Sequence, residues 1–166
     1  MGYSAKEVAN YFLDLAGKEG VELSPLQIQK LVYIAHGWHL AIYEEPLVDD
    51  EYAEAWEYGP VFPSLYYEFK EFGADPIKRF AVEAYYIDFL KKWETSTPSI
   101  KKNDIETQEF LNHIWKLHKE LTGGQLINLT HKEGSPWKQT RDRSSNIRNA
   151  DIDNETIENY YKEQLR

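Results

Sequence analysis

The sequence predicts a mainly α fold: a compact single-domain helical bundle around a central buried helix, with a small extended element near residues 52–62. Three observations carry this expectation. The run from Pro25 to Tyr43 is apolar nearly all round, and a helix without a clean polar face is one buried on several sides. Helix-start signals recur along the chain, with Ser4, Ser24 and Ser135 each placed to cap the helix after it. Glycine and proline then divide the sequence into helix-length segments whose apolar residues fall three or four apart.

Taken in order, Ser4 and Glu7 form an S-x-x-E capping box, and Tyr3 with Val8 a hydrophobic staple. Ala5, Val8, Phe12 and Leu15 share a face, so a first helix is expected from Ala5 to Ala16, ended by Gly17 and Gly20. The second helix opens on Ser24 at the N-cap, Pro25 at the first helical position and Gln27 closing the box. Leu23 and Ile28 staple it, and it runs to about Tyr43, before Pro46.

Tyr52 to Tyr58 alternate in a way that suits a short strand, which Gly59-Pro60 is expected to break. Pro63-Ser64 starts a helix with Leu65, Tyr66, Phe69 and Phe72 inward, and Gly73 ends it. From Pro76 to Trp93 the residues Ile77, Phe80, Ala81, Ala84 and Ile87 recur at helical intervals, followed by a loop over Thr95–Asn103. A long helix is expected from Ile105 to Leu121 with Phe110, Leu111, Ile114, Leu117 and Leu121 inward. Thr122-Gly123-Gly124 reads as a sharp turn, Gln125–His131 as a short helix, and Ser135-Pro136-Trp137 as another helix start. Arg141–Ala150 is polar and loop-like. A last helix begins near Asp153, stapled by Ile152 and Ile157, and buries Ile157, Tyr161 and Leu165.

Composition bounds the function. The 166 residues fit one domain spanning 1–166, and 42% hydrophobic residues can fill its core. The absence of cysteine excludes disulfide frameworks, thiol nucleophiles and Cys-ligated metal sites. Met1–Lys6 shows no signal-peptide pattern, and no apolar run approaches the roughly 20 residues that span a bilayer. A cytoplasmic protein with no membrane partner is expected. The net charge of −9 opposes nucleic acid as a partner. The segment His131–Arg148 is nonetheless +3, which leaves −12 on the remainder.

Chemical motifs are scarce. The sequence lacks G-x-G-x-x-G, G-x-x-x-x-G-K-[ST] and H-E-x-x-H, and its capping serines need no catalytic explanation. His36 and His39 lie three apart on a helix, but no carboxylate motif supports a metal there, so no metal and no cofactor are expected. The acidic patch Asp49, Asp50, Glu51, Glu54 and Glu57 reads as solvated surface rather than an acid–base pair. Gln29, Tyr33 and His36 form a polar stripe on the central helix, suited to internal hydrogen bonds or to orienting a neighbouring strand. Gly37 beside it permits close backbone approach.

Two connections stand out. Trp56-Glu57-Tyr58-Gly59-Pro60-Val61-Phe62-Pro63 and Thr130-His131-Lys132-Glu133-Gly134-Ser135-Pro136-Trp137 place aromatics on stiff segments, which suits either core plugs or anchors for a partner. Candidate partner-binding residues are Trp56, Tyr58, Val61, Phe62, Lys132, Trp137, Lys138, Arg141 and Arg143. Ser24, Pro25, Gln29, Lys30, Tyr33, Gly59, Pro60, Thr130, His131 and Pro136 form the structural framework around them.

The order Leu23–Tyr33, then Glu54–Pro63, then Leu129-Thr130-His131 and Ser135-Pro136-Trp137 resembles the Panacea domain, a family of SocA-like antitoxins and GepA-like phage-associated proteins. The resemblance runs from Ala5 to about Tyr161 and is weakest over Ile77–Asn103. It implies a non-enzymatic antitoxin that neutralises a cognate protein toxin encoded nearby by direct contact. In one member the domain is also an adaptor to a cytoplasmic protease. The competing reading is a helix-turn-helix transcriptional regulator using residues 108–148, with the basic tail on phosphates.

Overall fold

The structure, a computed structural model, describes residues 2–166. It is mainly α, with seven α-helices and five short strands among the described residues. Helix α1 (Ala5–Glu19) starts at the expected capping box: Ser4 Oγ accepts from Glu7 N–H, and Glu7 returns a bond to Ser4 N–H. It continues through Gly17 and ends at Gly20, whose φ of 69° suits the left-handed cap. Helix α2 (Pro25–Tyr43) has the expected bounds, with the Ser24–Gln27 box closed in both directions. Every residue from Ile28 to Gly37 is buried, and α1, α3, α4, α5 and α7 all pack on this helix.

Strands β1 (Ala53–Trp56) and β2 (Gly59–Val61) form a hairpin paired Glu54↔Val61, Ala55↔Pro60 and Trp56↔Gly59. Gly59-Pro60 therefore begins the second strand instead of breaking the first. Pro60 lacks a donor but is tolerated, because β2 is an edge strand. β5 (Asp151–Ile152) pairs antiparallel on the other side of β1. Helix α3 (Pro63–Phe69) comes next and runs into a 3-10 turn before Gly73. Leu65 and Phe69 are buried, whereas Tyr66 is exposed.

The helix expected within 76–93 is absent. That segment ends in a second hairpin, β3 (Glu83–Ile87) with β4 (Lys92–Ser96), so the expected loop also starts later. Tyr85, Tyr86, Ile87, Trp93 and Thr95 favour strand, and Lys91 turns the chain with φ 54°. Buried Asn10 fixes the segment's base: its amide donates to Ala81 O and Pro98 O while its oxygen accepts from Ala81 N–H. Tyr85, Tyr86, Phe89 and Trp93 remain exposed.

Helix α4 (Ile105–His118) ends earlier than its apolar pattern suggests. Leu117 is exposed, and Trp115 takes the inward place, donating its indole N–H to Glu19 at 2.9 Å. Thr122 is an N-cap rather than a turn residue, so Gly123 and Gly124 open α5 (Gly123–His131). Helix α6 (Pro136–Arg143) is capped by Ser135 as expected and includes Arg141–Arg143, whose polar character instead suggests a loop. Helix α7 (Asn154–Gln164) buries Ile157 and Tyr161, but Leu165 lies past its end and is exposed. The Tyr161 ring lies directly against Gly37, where no Cβ would fit.

Candidate functional site

The two connections singled out in the sequence come together around the β1–β2 hairpin. From beneath, α2 grips β2 and the residue after it. Gln29 accepts from Phe62 N–H at 2.9 Å and donates to Phe62 O at 3.0 Å, so its amide completes the backbone pairing that an edge strand lacks. One residue on, Lys30 is 2% exposed and donates from Nζ to Pro60 O at 3.2 Å. No carboxylate pairs with it among the described residues, and burial lowers its pKa to about 8.

From the side, α5 and α6 supply a stacked layer. His131 lies flat on Trp137, with ring centroids 3.9 Å apart and an interplanar angle of 10°. Trp137 donates its indole N–H to Trp56 O at 2.6 Å. Arg141 donates to Ala55 O at 3.2 Å, and its guanidinium lies 5.5 Å from the Trp137 ring centroid. The Nε2 atom of His131 is buried without a hydrogen-bond partner. Burial and the nearby Lys30 cation hold the His131 pKa below its ordinary value, against an opposing contribution from the Tyr58 backbone.

Gly59 is where these groups converge. Its φ is 121°, and an added Cβ would fall 2.6 Å from Lys30 Nζ and 3.2 Å from His131 Nε2. Tyr58, at the tip, projects outward and is 70% exposed. Trp56 is half-buried against Tyr66 and donates to Glu54 at 2.8 Å. The hairpin is thus held at Ala55, Trp56, Pro60 and Phe62 while the Tyr58 side chain at its tip stays exposed.

Other candidates fall elsewhere. Phe62 is fully buried and meets His36 edge-on, and Val61 is also buried, so neither is on the surface. This corrects their place among surface contacts: Phe62, just past β2, enters the hydrophobic core, and Val61 is covered in the strand. Lys132 is exposed, Lys138 is paired with Asp142, and Arg143 lies 3.8 Å from Asp153. Ser24, Pro25, Ser135 and Pro136 serve helix starts. Thr130 bonds back to the Leu126 and Ile127 carbonyls, while the Tyr33 hydroxyl is buried and unpartnered.

His36 accepts from Val48 N–H at Nδ1 and bonds Asn154 Oδ1 at 2.9 Å through Nε2, which assigns the neutral Nε2–H tautomer. Burial lowers its pKa to about 4. His39 is engaged separately through Nδ1 with Glu45 O. Among the described residues no group of three His, Cys, Asp or Glu is placed to hold a metal ion. In the acidic patch, Asp49 binds Gly2 N–H and Glu51 caps Ser64, which gives both local structural work.

The family described as antitoxin SocA-like, Panacea domain, matches residues 28–138, which include Lys30, the β1–β2 hairpin, His131 and Trp137. The chain belongs to this family. Antitoxin SocA of Caulobacter vibrioides (strain NA1000 / CB15N) is 32% identical over 133 residues, covering 80% of this chain and 68% of that protein. No solved structure matches the chain. Within this Panacea chain the family stretch contains the hairpin and the Thr130–Trp137 connection beside it, while Arg141 lies just past its end. Sequence reasoning did not find that Lys30 is buried; the available signal was a lysine in a helix with no polar face. Among the described residues no helix is long and apolar enough to cross a membrane.

Proposed function

We propose that this Panacea-domain chain, acting as one domain, is a non-enzymatic cytoplasmic antitoxin that neutralises a cognate protein toxin by direct binding. Membership of the SocA-like family supports the antitoxin role. The observation that carries the mode of action is the clamped hairpin with its exposed Tyr58 tip. A tip held by four backbone anchors loses little freedom on binding, and tyrosine and arginine are enriched among residues that dominate interfaces. The contact region joins Trp56 and Tyr58 with the outer face of Lys132–Arg143, where Lys132 and Arg141 are exposed.

Delivery of the bound toxin to a cytoplasmic protease is a variant of this reading, in which toxin abundance falls when the chain is present. The regulator reading has less support. α5 turns Leu126 into the core and packs on α2, which leaves that face unavailable to a DNA groove.

Co-expression with the protein encoded beside this gene tests the proposal. The neighbour alone should arrest growth, the pair should grow, and the two proteins should co-purify. A neighbour that is harmless alone, or toxicity that persists with this chain present, would sink it.

A further inference from the structure

A second feature of the basic segment lies away from the Tyr58 tip, although it shares Arg141 with the hairpin clamp and with the proposed contact region. Between α6, the loop after it and the β1–β5 edge lies a cleft of about 300 Å³. Arg141 and Arg148 line it, together with Ser145, Asn146 and Thr140. No carboxylate is among its lining residues. Of the acidic groups nearby, Asp142 pairs with Lys138, Asp153 caps α7 and lies near Arg143, and the exposed Asp151, beside the lining residue Ala150, is outside the lining.

Two observations give this cleft a chemistry. Arg148 has no hydrogen-bond or ion-pair partner among the described residues, whereas Arg141 is already fixed by Ala55 O and the Trp137 ring. Thr140 is 2% exposed and its hydroxyl oxygen is buried without a partner. A helical threonine ordinarily satisfies that hydroxyl on a carbonyl of the preceding turn, as Thr130 does here. One free guanidinium, one preorganised guanidinium and an unspent hydroxyl are the donors that an oxyanion takes.

We infer that this cleft is an oxyanion site that binds a phosphate or carboxylate group through Arg148 and Arg141, with Thr140 as a further donor. The net charge of −9 repels anions from the molecule as a whole. Saturable anion binding must therefore come from a local site.

The test titrates the full chain at low salt with inorganic phosphate and, separately, acetate, following arginine side-chain and backbone NMR signals. Saturable shifts are expected at Arg148, Ser145 and Thr140, and Arg148→Ala or Arg148→Gln should weaken binding by about tenfold or more. Thr140→Val should weaken binding without lowering the thermal midpoint, because no protein hydrogen bond is lost. Saturation by phosphate alone would assign a phosphoryl ligand; saturation by acetate as well would admit a protein carboxylate. Shifts that do not saturate with either anion, or saturation that survives both Arg148 substitutions, would overturn the site.

Discussion

Lys30 Nζ lies 3.2 Å from the carbonyl oxygen of Pro60, and this neutral acceptor is its hydrogen-bond partner in a nearly solvent-free position. The ammonium joins the central helix to the hairpin, but burial disfavours its charge and lowers its pKa from 10.5 to about 8. Between those values the unfolded chain holds more protons at this group than the folded chain does. Stability from Lys30 is therefore lowest below pH 8 and is gained as pH rises toward 10.5. Comparison with Lys30→Met isolates this contribution from other titrating groups. From pH 7 to 10 the wild type should gain roughly 2–3 kcal/mol relative to the variant in urea unfolding. Parallel pH profiles would show that Lys30 does not titrate in this way.

His36 gives the acid-side counterpart. Its pKa falls from 6.5 to about 4, chiefly by burial, so the unfolded state binds the proton first as the solution is acidified. The contribution is present above pH 6.5 and is lost as pH falls through 4, on the order of 3 kcal/mol in all. An imidazole NMR titration of the folded protein should show a midpoint near 4, and one near 6.5 would contradict the burial argument.

Trp137 supports the hairpin in two separable ways, by stacking on His131 and by donating to Trp56 O. Trp137→Ala should cost about 3 kcal/mol in denaturant unfolding, because both contacts vanish. Trp137→Phe should cost about 1 kcal/mol, since it keeps a ring and leaves the carbonyl without its donor. Equal losses in the two variants would show that the hydrogen bond, not the stack, dominates.

Tyr58 and Phe62 lie four residues apart and should behave oppositely. On the proposed antitoxin function, Tyr58→Ala should leave the unfolding midpoint unchanged and lower affinity for the protein encoded next to it by about tenfold or more. Phe62→Ala should destabilise the fold by about 3–5 kcal/mol, because that ring is fully buried. A Tyr58→Ala protein that binds the toxin as well as wild type would remove the tip from the interface.

Legibility in the sequence depended on the kind of signal available. Helix starts carried local chemistry, so Ser4–Glu7, Ser24–Gln27 and Ser135-Pro136 marked their elements correctly. The hairpin β3–β4 escapes a periodicity argument because Phe80, Ala84 and Ile87 fit a helical spacing by chance, while Ala81, the residue that is buried, is fixed by Asn10 from a remote helix. Trp115 and Leu117 both suit an apolar face, and the choice between them rests on the indole's bond to Glu19, which depends on how α1 and α4 meet. At the candidate site the residues of both connections were recognisable. Their directions were not: a hairpin whose turn sends Tyr58 out and whose exit sends Phe62 in is oriented by Gln29 and Lys30 from another element.

Helix α7 begins after residue 138, where the match to the family ends, yet it closes one wall of the interior. Tyr161 covers the bare backbone at Gly37, and Asn154 holds the ring of His36. A single proteolytic cut near residue 150 would loosen both groups at once, leaving the His36 imidazole with only its Val48 bond and a stripe of the central helix wet. Such a nick would propagate inward rather than trim an end. The cellular lifetime of this protein would then be set by how well one short C-terminal helix stays docked.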